Sequence, residues 1–196
     1  MQIKRIAVPV AALAVIGAVA ASAPSAMATT PASGSLVLTA STAYVKSALI
    51  EGIGAVVGTP ASASYSTTGG VSATFPVTGG DLNLNGYSGA AQFGGSIVVI
   101  DARQHRTVTF TQLAFDDLSG TVTGVPQGST TPVALLDPSG DLNVTTDATT
   151  GAQTLTASET DLDPAAATYL DHALCTAFFK AGTAVGALTL TFTPAS

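Results

Sequence analysis

The chain has 196 residues, of which only 9% are charged and 6% aromatic, with no tryptophan. Soluble domains carry about 25% charged residues. Beyond residue 28 four basic residues (Lys46, Arg103, Arg106 and Lys180) face twelve acidic ones, a net charge of −8, and the four are scattered. No basic patch exists to displace the counterions of a phosphate backbone, which excludes nucleic-acid partners and disfavours anionic membrane surfaces.

In chain order, Lys4 and Arg5 precede an apolar stretch over 6–23, and Ser25-Ala26-Met27-Ala28 supplies the small residues that signal peptidase requires. This pattern predicts a secretion signal over 1–28 cleaved after Ala28, a linker over 29–34, and one domain over 35–194. The mature chain is expected in the medium or the cell envelope, without a transmembrane segment. Val45, Leu49 and Ile53 lie four apart, with Ala48 beside them, and predict a short helix with one apolar stripe. Val71, Ala73, Phe75 and Val77 alternate with small or polar residues, as do Val108 and Phe110 with Thr107, Thr109 and Thr111. Gly69-Gly70, Gly79-Gly80, Asn85-Gly86, Gly94-Gly95 and Pro138-Ser139-Gly140 read as turns. Asp163-Pro164 predicts a helix start ahead of the stripe Leu170, Leu174, Phe178. The chain closes on Leu188, Leu190 and Phe192 alternating with threonines. Period-two alternation between regular turns suggests a sandwich or an open barrel, and the expectation is an all-β fold, an antiparallel β-sandwich-like single domain with two short helices.

The two helical segments superpose at an offset of 125: Tyr44 on Tyr169, Val45 on Leu170, Ala48 on Ala173, Leu49 on Leu174 and Ile53 on Phe178. A Gly-x-x-Val-Gly run follows each, over 54–58 and 182–186, so a helix-then-strand unit is read as used twice.

Phe75-Pro76-Val77-Thr78-Gly79-Gly80 resembles the F-P-[IV]-x-G-G turn of the haem-transport-associated (HtaA-type) domain of exported proteins from high-GC Gram-positive bacteria. Gly94-Gly95, Val108-Thr109-Phe110-Thr111-Gln112-Leu113 and Gly120-Thr121-Val122-Thr123-Gly124-Val125 follow in that family's order. Phe179-Lys180-Ala181-Gly182-Thr183-Ala184-Val185-Gly186 is similar to its closing turn. The resemblance implies a non-enzymatic haem-binding or haem-relay protein of the bacterial envelope, with haem as cofactor and a haem-carrier or uptake protein as partner. It further implies Tyr44 as the ligand to the haem iron, Phe75 and Phe93 as rings against the macrocycle, and His105 at its polar edge. The family's opening tryptophan and its G-H-x-G setting have no counterpart here. The alternative is a structural or adhesive envelope protein that has this scaffold without a haem site.

From the residues themselves, a tyrosinate at Tyr44 suits ferric haem; otherwise Tyr44 flanks the helix stripe with its hydroxyl at the surface. His105 lies in the most polar stretch, 101–106, and serves either a ligand or an exposed hairpin turn. Asp171-His172 are chain neighbours whose side chains diverge on a helix, and no G-x-S-x-G is present, so a serine hydrolase is not supported. Two distant histidines and one cysteine offer no zinc spacing. The carboxylates over 137–141 and 161–163 are read as turn chemistry rather than a calcium loop, and Cys175 as a small packed residue beside the second stripe.

Overall fold

Threonine on one face and Val, Leu or Phe on the other suit a half-buried antiparallel strand, and the alternating runs form strands throughout. A computed structural model describes residues 30–66 and 70–196. The expected signal over 1–28 and its cleavage point lie outside the described residues. The elements are β1 (Ser33–Ala40), α1 (Thr42–Glu51), β2 (Ile53–Gly58), β3 (Ser62–Ser66), β4 (Gly70–Gly80), β5 (Ala90–Phe93), β6 (Ser96–Asp101), β7 (Arg106–Asp116), β8 (Thr121–Pro126), β9 (Val133–Thr146), β10 (Gln153–Leu162), α2 (Pro164–Leu174) and β11 (Ala184–Thr193). Ser33 and Gly34, expected in the linker, already pair with Thr193 and Phe192 of β11.

The fold is all-β with two short helices, but the sheet closes instead of splitting into two layers. Antiparallel pairing runs β1-β11-β10-β9-β8-β7-β5-β4 and returns to β1, an eight-stranded barrel. Closure pairs edges that a sandwich would leave open, and a barrel of this size is filled by its own side chains. Leu36, Phe75, Phe115, Val122, Leu190 and Phe192 are all essentially inaccessible to solvent in its core.

At one end the barrel forks. β7 pairs with β5 through Leu113 to Asp116 and with β6 through Arg106 to Phe110. Between these halves Gln112 adopts a left-handed φ of 50° and the β7–β8 register shifts. This bulge moves the buried set from Val108 and Phe110 to Leu113 and Phe115, since one extra residue inverts the faces of a strand. The facing strand breaks at the same level, at Gly94-Gly95. Beyond it β6 takes β2 as its second partner, while β4 takes β3. Two wings, β2–β6 and β3–β4, therefore extend past the closed barrel.

Both helices follow a strand and end in a left-handed cap. α1 starts at Ser41 and ends at Gly52 (φ 79°). In α2 the Asp163 carboxylate accepts from the Ala165 amide at 2.6 Å, Pro164 fills the first turn, and Cys175 (φ 55°) ends the helix. Cys175 is exposed rather than packed, because the cap turns it off the stripe. Pro138-Ser139-Gly140 lies within β9 and not in a turn, with Gly140 taking the left-handed conformation at an irregular pairing with β10.

Candidate functional site

An apolar cavity of about 400 Å³ lies at the fork, within the range of cofactor-sized sites. One wall is α1, through Tyr44, Val45, Ala48 and Leu49; another is α2, through Ala166 and Leu170. The wings supply Val56, Val57, Ile97 and Val99 on one side and Ala63, Val71 and Ala73 on the other. Leu49, Val56 and Val71 are exposed to solvent as well as lining it, so they mark its mouth. The α1 stripe is accordingly not a core stripe. Only Ala48 is buried in that helix, Leu49 is 65% exposed, and Ile53 has passed into β2.

Tyr44 sits in the first turn of α1, where the Ser41 side chain accepts from its amide. Its ring lies 5.8 Å from that of Phe178, which in turn meets Phe179 edge-on at 5.1 Å. Burial pushes the Tyr44 hydroxyl up to about 12, from the ordinary 10.0, because the charged form is penalised in apolar surroundings. A phenol so placed keeps its proton at neutral pH unless a cation replaces it. Among the described residues the lining carries no His, Lys or Arg.

Phe75 is fully buried and lines the cavity from β4. Phe93, also buried, lies in β5 opposite Leu113 and outside the lining. His105 is exposed in the β6–β7 turn, with φ 55°, and is likewise not among the lining residues. His172 is exposed on α2, and Tyr169 packs on Phe110 at 5.7 Å. The two carboxylate pairs noted in the sequence come together, Asp137 being the cross-strand partner of Asp161. Burial, then the charges of Asp163 and Asp161, raise the Asp137 carboxyl above its usual value. Among the described residues no group of three His, Cys, Asp or Glu side chains is placed to hold a metal ion.

Phe178 and Phe179 were not singled out as site residues. The available signal is that two adjacent rings follow α2 in a chain with only 6% aromatics.

The fold has a counterpart among solved structures. The C-terminal domain of HtaA from Corynebacterium glutamicum aligns over 84% of this chain and 99% of that domain, with a TM-score of 0.53 at 12% identity. This chain has the fold of an HtaA-type domain. The haem-binding protein HtaB from the same organism aligns over 84% of this chain and 94% of its own, with a TM-score of 0.47 at 14% identity. No family model matches the chain, and no curated protein matches it by sequence. No helix among the described residues is long and apolar enough to cross a membrane.

Proposed function

We propose that this chain is a diverged HtaA-type haem-binding or haem-relay protein, exported and non-enzymatic, with ferric haem held in the cavity between α1 and α2. The observation that carries the reading is Tyr44, a desolvated phenol on the wall of a mostly apolar cavity. The residues suit the group in two respects. A phenolate oxygen is a ligand for ferric iron, whose charge offsets the cost of deprotonating a buried phenol. The aliphatic walls and Phe75 suit the faces of a macrocycle. When bound, haem supplies the iron; the chain supplies the ligand oxygen, excludes water from it, and orients the ring between the helices. Phe178 holds the Tyr44 ring in place. Any cation that met the propionates would have to come from outside the described lining, which has no His, Lys or Arg. His105 and Phe93 retain a part only by approaching the ligand when it binds.

The proposal extends to cleavage after Ala28, release to the medium or envelope, and exchange of haem with a carrier or uptake protein. The absence of His, Lys and Arg from the lining favours the second reading, a structural or adhesive envelope protein on the same scaffold.

Titrating ferric haem into the mature protein separates the two. Haem binding gives a saturable Soret shift at one equivalent with the charge-transfer bands of a tyrosinate complex. In Tyr44→Phe those bands vanish while the thermal midpoint stays. Absence of a saturable shift in the parent protein leaves the structural reading. A shift with bands unchanged in Tyr44→Phe assigns the iron to another ligand.

A further inference from the structure

The helices that wall the cavity rest on different strands, α1 on β2 and β11, α2 on β7 and β9. One short turn, with the first residue of the strand after it, touches the last turn of both. The β6–β7 connection, 102–105, is fixed from beneath by Asp101, which is 2% exposed and accepts from the amides of Arg103 at 2.8 Å and Gln104 at 2.9 Å. From this base Arg103 reaches α1. Its guanidinium pairs with Glu51 at 2.7 Å and also donates to the Ile50 carbonyl. Its aliphatic stem lies over Gly52, where any side chain at that residue would crowd it. Arg106, at the other end of the turn, donates to the Ala173 carbonyl of α2 at 3.2 Å. The final carbonyls of a helix lack intrahelical partners and carry partial negative charge. α1 has no basic residue of its own in its last turn, so Arg103 provides from the β6–β7 turn what the helix lacks.

We infer that Arg103 and Arg106 form a clamp that fixes the spacing of α1 and α2, and so governs how long a molecule stays in the cavity between them. They are positioning residues: neither lines the cavity. The effect on retention rests on the haem reading above, whereas the effect on helix spacing does not. The contacts are exposed, with Arg103 and Glu51 side chains 57% and 50% accessible. Such pairs add little to global stability, so their loss is expected to leave the fold intact.

Two measurements test the clamp in the mature full chain. In the first, spin labels on the native exposed Cys175 at the end of α2 and on Ser47→Cys in α1 report the inter-helix distance. The parent protein is expected to give one narrow distribution, and Arg103→Ala with Arg106→Ala a broadened one at an unchanged thermal midpoint. In the second, transfer of haem to excess apomyoglobin is expected to accelerate about threefold to tenfold for each arginine removed. Arg103→Lys, which keeps the charge opposite Glu51 but not the fork, is expected to recover part of the loss. A narrow distribution and an unchanged release rate in the double variant would overturn the clamp. If the parent protein takes up no haem, the haem reading fails, and the distance distributions alone decide the clamp.

Discussion

α1 and α2 are built to one plan and put to different uses. Each follows a barrel strand, opens on a side-chain cap and closes on a left-handed residue. Yet α2 buries Ala166, Ala167, Leu170 and Leu174, whereas α1 buries Ala48 alone. The apolar face of α2 is spent on β7 and β9 and the barrel beneath. That of α1 is left facing a cavity, with Leu49 at its mouth. An apolar stripe at helical spacing thus has two outcomes, and the one without a packed partner lines the cavity.

The largest difference is expected in the stripes themselves. Leu174→Ala removes a fully buried side chain and is expected to cost roughly 2–5 kcal/mol of unfolding free energy, the transfer term plus the void left behind. Leu49→Ala, its repeat mate, trims a side chain that is 65% exposed. It is expected to stay within about 0.5 kcal/mol, partly offset by the higher helix propensity of alanine. Urea denaturation of both variants checks the contrast, and equal losses would make α1 as much a core helix as α2.

The second difference is electrostatic. Tyr44 has a hydroxyl raised by burial from 10.0 to about 12, so the folded chain holds that proton more tightly than the unfolded chain does. Its contribution is fully present below pH 10 and is lost as pH rises from there through about 12, because only the unfolded state gains by deprotonating. The loss is on the order of 1–2 kcal/mol once partial solvent screening is allowed for. Stability curves of the parent protein and Tyr44→Phe between about pH 9 and 12 are expected to diverge, the parent falling more steeply. Ultraviolet titration is expected to lose its latest tyrosinate step in the variant.

The barrel strands were readable because threonine and large apolar residues alternate at period two, and the alternation is a local property. Barrel closure was not, since it depends on which strands meet across long sequence separations: β1 with β4 and β11, β7 with β8. The inversion of faces in β7 turns on Gln112, a residue type that carries no signal for a left-handed backbone. Tyr44 was a candidate through the family resemblance, which implies a ligand tyrosine in the opening segment, and not through its place on a helix. The cavity wall was not, because Val56, Val71 and Leu170 come from three separate parts of the chain and only the fork brings them together. His105 shows the converse: it is close in sequence to the motif strands, yet it sits exposed in the β6–β7 turn and outside the cavity lining.

The smallest difference lies in the caps. Asp163 offers a carboxylate at 2.6 Å to the Ala165 amide, a short charge-assisted bond at the positive end of a helix dipole. Ser41 offers a neutral hydroxyl to the Tyr44 amide at 3.5 Å, the long limit of a hydrogen bond. Asp163→Ala is therefore expected to cost about 1 kcal/mol, the usual value for a lost N-cap, and Ser41→Ala roughly half that or less. The two losses should differ in where they appear. Hydrogen exchange in Asp163→Ala is expected to rise along α2 together with the strands it covers, because its buried stripe couples the helix to the barrel. In Ser41→Ala the rise is expected to stay within the first turn of α1, around Tyr44, since the face of that helix is turned to the cavity and little else depends on it. Spread of exchange from α1 into β1 and β11 in Ser41→Ala would show that α1 is coupled to the barrel as tightly as α2.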